Sequence, residues 1–366
     1  MIPLALSMSD PDALAARVPA VEAVVRAALT AGTATCAAVE IGDAGGVRGR
    51  FGLGRLSNAA DAVPADGDTI FDLASLTKIL ATTLLAMRLE EAGRCAMTDR
   101  VGRWWPAWYG PGRDETTLAD LLAHASGLAA HRCLYEGRRG AVAFGDAICR
   151  LPLEAPPRAT AVYSDLGFIL LGVILERIGD AGLAAQVAAM LAALTDGPLA
   201  YRPPAAWRPR TASTGWDARR QRELIGDVHD ANTSAMDGVA AHAGLFGTAG
   251  AVGDVGRAVL RALRGTPVDG LASPATVRRF ASRRDDVPGT TRALGWDTMK
   301  PTSSCGRFMS PSAIGHTGFT GTSLWIDDAR DAYVVLLTNR VATGATADAM
   351  RALRQDVHDA VFGPAA

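Results

Sequence analysis

Lysine is nearly missing from this chain: of 37 basic residues, only Lys78 and Lys300 are lysines, and the rest are arginines. Arginine stays protonated in proteins, whereas burial can strip a lysine of its proton. Any lysine-based proton chemistry therefore has two candidates. Cysteine is sparse as well. Cys36, Cys95, Cys133, Cys149 and Cys305 are odd in number, scattered, and include no CxxC pair. That argues against a zinc ribbon or a disulfide framework and leaves buried reduced thiols as the expectation. The formal net charge of −1 lacks the basic excess of a nucleic-acid binder. No apolar run reaches the roughly 20 residues that span a bilayer. The opening MIPLALSMSDPDALAARV has no basic n-region and too short an apolar stretch for a signal peptide, so cytoplasmic residence is expected.

What is present is enough for a full-sized core. The 366 residues, 49% of them hydrophobic, suit one large domain or two intertwined subdomains. Residues 12–31 space Leu14, Val18, Val21, Val25 and Leu29 as an amphipathic helix, with Asp10 before Pro11 as its start signal. Strand-like stretches follow at 35–42 and 47–54, around the turn-rich DAGG. Residues 70–93 pass from strand-like to helical and stop at Gly93; the middle is apolar all round, which predicts a central buried helix. Helices are also expected at 116–124 and 167–180, and residues 200–222 read as a surface excursion. TSLWIDD (322–328) and AYVVLLTN (332–339) read as paired strands before a closing helix at 344–361. The order predicts an α+β fold: an antiparallel sheet built from both chain ends (10–72 and 245–366) around a mostly helical insert (73–244).

Three short motifs carry chemistry. In Ser75-Leu76-Thr77-Lys78, positions i and i+3 share a helix face, so hydroxyl and amine can meet. A serine hydroxyl needs a neighbouring base to become a nucleophile, and a buried lysine is one if burial lowers its pKa. Tyr163-Ser164-Asp165 places a tyrosine between helices, where it can relay a proton to a leaving group; taken alone, the motif reads first as a core-edge tyrosine followed by an Asp helix cap. His316-Thr317-Gly318 lies in a glycine-rich stretch before a strand, where a backbone N–H can serve an oxyanion hole.

Together, in this order, the motifs resemble the penicillin-binding protein/β-lactamase superfamily, with its SxxK, YxN-like and KTG-like signatures. FDLASLTKILATT, LLAHASGL, YSDLGFILLG, GDVHDAN, AHAGLFGTA, LGWDTMKP and GHTGFTGTSLWID look like segments of the branch shared by class C β-lactamases, D-alanyl-D-alanine carboxypeptidases and β-lactamase-fold carboxylesterases. The resemblance implies a β-lactamase-like fold and a serine hydrolase. Ser75 would be acylated, Lys78 would serve as base or as a charge beside Tyr163, and Tyr163 would return the proton to the leaving group. The N–H groups of Ser75 and Phe319 would form the oxyanion hole, beside His316, Thr317 and Gly318.

Two departures sharpen that expectation. Asp165 stands where Asn is common, and a carboxylate near Lys78 favours its ammonium form, which makes Tyr163 the principal base. His316 stands where many relatives carry lysine, and a mostly neutral imidazole is a weaker anchor for a substrate carboxylate. Small esters are therefore expected ahead of D-amino-acid peptides and β-lactams. A D,D-carboxypeptidase or β-lactamase is the enzymatic alternative, and a penicillin-recognition sensor or scaffold the non-enzymatic one. No metal or other cofactor is expected, since His229, Asp230 and His242 match no compact ligand spacing. Structural hydrogen bonding is expected of His229 and His242, and a helix-capping role of His124. Trp104, Trp105 and Trp108 read as exposed, either packing beneath the insert or lining a pocket. The expected partner is a small ester, peptide or β-lactam, with no nucleic acid and no membrane span.

Overall fold

A computed structural model describes residues 11–300 and 302–364; Asp10 lies outside the described residues. The frame is a six-stranded antiparallel sheet. Strands β1 (Cys36–Asp43) and β2 (Gly46–Gly54) form a hairpin, and β3 (Asp297–Thr298), β4 (Ile314–Thr317), β5 (Ser323–Asp327) and β6 (Ala332–Thr338) come from the far end of the chain. Their spatial order is β2-β1-β6-β5-β4-β3. The first strand thus pairs with the last, Val39 opposite Leu336, as the expected two-ended sheet requires.

Side-chain alternation explains why β1 and β6 are apolar throughout. Ala37, Val39 and Ile41, with Val334 and Leu336, meet helices α1 (Val18–Thr30) and α4 (Ala347–Phe362) through Val21, Val25, Met350, Leu353 and Val357. Ala38, Val335 and Leu337 face the other way, into the core shared with α3 (Ala249–Leu263). A sheet covered on both faces has no polar face to show. Apart from Asp43 at the strand end, Glu40 is the charged exception. It is fully buried under α3, where Tyr333 Oη donates to it at 2.8 Å and Arg50 Nε at 2.6 Å.

The helical region surrounds α2 (Asp165–Gly179), whose residues 166–175 are all buried. Two of the three tryptophans belong to its packing and not to the surface, while Trp104 is half-buried against the same core. Trp105 and Trp108 are buried, and the Arg177 guanidinium lies 3.6 Å from the Trp105 ring centroid. A small sheet of Phe71–Asp72, Leu245–Gly247 and Leu199–Tyr201 joins this region to the serine segment. No helix among the described residues is long and apolar enough to cross a membrane.

The segment at 70–93 is not one regular α-helix. Ala74–Leu76 is a 3₁₀ turn, Lys78–Thr83 a π-helical stretch, and only Leu84–Glu91 is α-helical. All-round apolarity predicts burial but not helix type, and π-helical turns often mark functional sites. The thiol expectation also needs one correction: Cys133 is exposed, while the other four cysteines are buried.

Candidate active site

Ser75 emerges from a constrained turn. Ala74 adopts φ +46°, unusual for a residue with a Cβ. The buried Asp72 carboxylate braces the turn, accepting from Ala74 N–H at 2.9 Å and His229 N–H at 2.7 Å. On the other side, Thr320 and Thr322 donate their hydroxyls to the Asp72 and Leu73 carbonyls at 2.7 and 2.9 Å. These bonds tie the glycine-rich edge to the serine turn. Gly318 is required there, because a Cβ would lie 2.1 Å from Thr322 Oγ1 and 2.6 Å from the Leu73 carbonyl oxygen.

Two side chains converge on the Ser75 hydroxyl. Lys78 Nζ donates to Ser75 Oγ at 3.0 Å, and Tyr163 Oη donates to the same oxygen at 2.8 Å. Lys78 is fully buried and gives its other two protons to Asp165 Oδ1 (2.8 Å) and the His242 carbonyl (3.1 Å). Three acceptors satisfy the three donors of an ammonium. Burial is the largest single influence on Lys78 and pushes its pKa down, but Asp165 and Tyr163 together outweigh it and leave it above the ordinary lysine value. Burial likewise pushes Asp165 up, yet Lys78 and the neighbouring histidines carry it well below the usual carboxylate range. The two shifts agree on an ion pair.

Helix α2 and its approach place Tyr163 and Asp165. Ser164 is the helix N-cap, its Oγ accepting from Gly167 N–H at 3.2 Å. Asp165 is therefore free to turn towards Lys78 and is not the cap. His124 does not cap its helix either. Its Nδ1 accepts the Ser164 N–H at 3.0 Å, and its ring lies 4.6 Å from that of Tyr163. An imidazole accepting at Nδ1 is neutral, in keeping with burial and the nearby cations, which push its pKa well below the usual range. His316 is neutral for the same reasons, burial first and then Lys78 and Arg292. Its Nδ1 donates to the Thr317 carbonyl at 2.8 Å, a group that only accepts.

These residues open onto a cleft of about 690 Å³. Ser75, Tyr163, Asp165, His316, Thr317, Gly318 and Phe319 line it, with Lys78 directly beneath. His229 and His242 also reach it. His242 Nε2 meets Asp230 Oδ1 at 2.9 Å, and the His229 ring stacks 5.6 Å from Phe319. Among the residues sequence reasoning missed, two act on Asp165 and Tyr163. His131 sits 3.6 Å from Asp165 Oδ2 as a second cation on that carboxylate, its pKa raised to about 9 mainly by this contact. Arg292 lies 5.3 Å from the Tyr163 ring centroid, on a ring that Lys78 approaches at 4.8 Å. Arg292 stands just ahead of the LGWDTMKP segment, and only that adjacency hinted at it.

A family model described as Beta-lactamase matches residues 21–359. The chain belongs to the beta-lactamase family. Members of this family are serine hydrolases, and so is this protein. Among its relatives, an Escherichia coli (strain K12) protein provisionally named a D-alanyl-D-alanine carboxypeptidase is 30% identical, the match covering 76% of this chain and 70% of that one. A Bacillus subtilis (strain 168) N-acetylmuramyl-L-alanine amidase is 29% identical over 75% of this chain and 69% of its own. In fold, this beta-lactamase-family chain is similar to EstCE1, a hydrolase with promiscuous acyltransferase activity, at TM-score 0.76 and 22% identity, covering 96% and 99% of the two chains.

Proposed function

We propose that this protein is an acyl-transfer hydrolase working through an acyl-enzyme on Ser75, with small esters first among its substrates and D-amino-acid peptides second. The observation that carries this reading is the pair of contacts on one hydroxyl, Lys78 at 3.0 Å and Tyr163 at 2.8 Å, at the floor of an open cleft.

Asp165 keeps Lys78 an ammonium, so Lys78 has no lone pair with which to take a proton. Tyr163 is then the base: with its own proton given up, its hydrogen bond with Ser75 reverses so that Ser75 Oγ–H donates to the Tyr163 oxygen, on a ring that Lys78 and Arg292 both approach. Ser75 Oγ forms a bond to the substrate carbonyl carbon and its proton passes to the Tyr163 oxygen. The carbonyl oxygen becomes an oxyanion facing the N–H groups of Ser75 and Phe319. Collapse breaks the bond to the alcohol or amine, which leaves with the proton from Tyr163. Water repeats the sequence on the acyl-enzyme and releases the acid.

The neutral His316 places neutral esters first, because it offers no cation to a substrate carboxylate. A D,D-carboxypeptidase is the second reading, supported by the relatives' names and by Arg292 and Arg340, permanent cations lining the cleft. Incubation with a fluorophosphonate followed by mass spectrometry of tryptic peptides should place a single adduct on Ser75. An adduct elsewhere, or none, refutes the nucleophile assignment. Turnover of p-nitrophenyl acetate, a D-Ala-D-Ala peptide and nitrocefin then ranks the substrates, and faster turnover of the peptide than of the ester reverses that ranking.

A further inference from the structure

Arg354, on helix α4, is buried, at 8% exposure. Its Nη2 donates to the Gly318 carbonyl at 2.9 Å and to the Thr322 carbonyl at 2.9 Å. Only burial and the neighbouring cation Arg340 act appreciably on its charge, and both disfavour it. No carboxylate pairs with it among the described residues. A buried, uncompensated guanidinium is costly, and a neutral donor would hold two carbonyls as well. The charge itself therefore needs a reason.

The reason lies across one peptide unit. A trans peptide is planar, with its C=O and N–H pointing in opposite directions. The carbonyl gripped by Arg354 belongs to Gly318, so the N–H on the far edge of the same plane is that of Phe319. That N–H has no acceptor among the described residues. Arg340 fixes the next plane, donating Nε to the Phe319 carbonyl at 2.8 Å. Gly321 N–H adds a third bond, to the Gly318 carbonyl at 3.0 Å. Rotating the Gly318–Phe319 plane would break both bonds to the Gly318 carbonyl, while Arg340 holds the plane that follows. A cation on the carbonyl also polarises the amide and makes its N–H a stronger donor.

We infer that Arg354 is a positioning residue for catalysis: it locks the Gly318–Phe319 peptide plane with the Phe319 N–H facing Ser75 and supplies positive potential behind the developing oxyanion. This rests on the Ser75 acyl-enzyme reading. Arg354 does not touch the substrate, and Arg340 supports it from the next carbonyl.

The test compares wild type, Arg354→Met, Arg354→Lys and Arg340→Met in p-nitrophenyl acetate hydrolysis, inhibition by phenylboronic acid and thermal melting. A boronate forms a tetrahedral anion on the serine and reads the oxyanion site directly. Loss of an oxyanion donor typically costs about 100-fold or more in kcat. Arg354→Met should accordingly lose about 100-fold in kcat with KM within about threefold, and its phenylboronate Ki should rise at least about 10-fold. Arg354→Lys, which keeps a charge and a donor, should recover most of both. A folded Arg354→Met with wild-type kcat, or one with lowered kcat but unchanged boronate Ki, overturns the inference. If Arg354→Met does not fold, Arg340→Met decides: a rise in boronate Ki supports the inference and an unchanged Ki overturns it. A wild-type protein that neither hydrolyses the ester nor takes up fluorophosphonate instead refutes the acyl-enzyme reading itself.

Discussion

Asp165 is shared by two cations, and its loss would be felt differently by each. For Lys78, removing the carboxylate leaves burial as the dominant influence, so the amine should lose its proton at lower pH. Asp165→Asn should therefore move the rate profile, its alkaline limb towards lower pH; kcat/KM measured from pH 5 to 11 checks this, and superimposable profiles would contradict it. For His131 the sign runs through stability. Its folded pKa of about 9 lies above the ordinary 6.5, so its contribution is complete below about pH 6.5 and is lost as pH rises through about 9. The side chain is 47% exposed, which limits the effect to under about 1 kcal/mol. The Tm difference between wild type and His131→Ala should be largest near pH 6 and vanish by about pH 10. A constant difference would mean that the ion pair contributes nothing. At His316 the expected change is in selectivity. His316→Lys places a cation beside the Thr317–Gly318 edge and should raise turnover of nitrocefin relative to p-nitrophenyl acetate; an unaltered ratio removes this residue from the account of specificity.

At the scale of elements, the site depends on how closely the β4 edge lies against the serine turn. Gly318→Ala introduces a Cβ into space held by the Leu73 backbone and Thr322, and backbone cannot yield as a flexible side chain would. Forcing atoms into a packed site costs about 1–3 kcal/mol, and the displaced edge carries the proposed oxyanion donor. Thermal melting should report the first effect and a kcat/KM loss of about 100-fold or more the second; wild-type activity in this variant would show that the edge need not be so close. The same scale explains what could be read in advance. Ser75 and Lys78 were legible because their relation is local, three positions along one segment. Strands β5 and β6 were legible because their apolar runs end in an Asp/Arg turn. The break from 3₁₀ to π to α geometry was not, because a segment apolar on every side has no period to betray its winding. Two- and three-residue strands such as Phe71–Asp72 are too short to show alternation. His131, Arg292 and Arg354 reach the cleft only through long-range topology, which residue spacing does not encode.

At the scale of the whole molecule, the β1–β2 hairpin is completed by β6, and both faces of that seam are closed by helices, one by α1 and α4 from the two ends of the chain and the other by α3. Neither strand can be fully buried alone. In refolding followed by pulsed hydrogen exchange, the amides of 36–43 should gain full protection in the same kinetic phase as those of 332–338. Early protection of the first set while the second still exchanges would disprove this coupling.

The seam also has a consequence for synthesis. The Asn339 side-chain oxygen accepts from the Cys36 N–H across 303 positions of sequence, so a ribosome releases the first hairpin long before its neighbour has been translated. Through that interval one apolar strand edge stays bare, which is the condition under which nascent chains associate with each other or are held by chaperones.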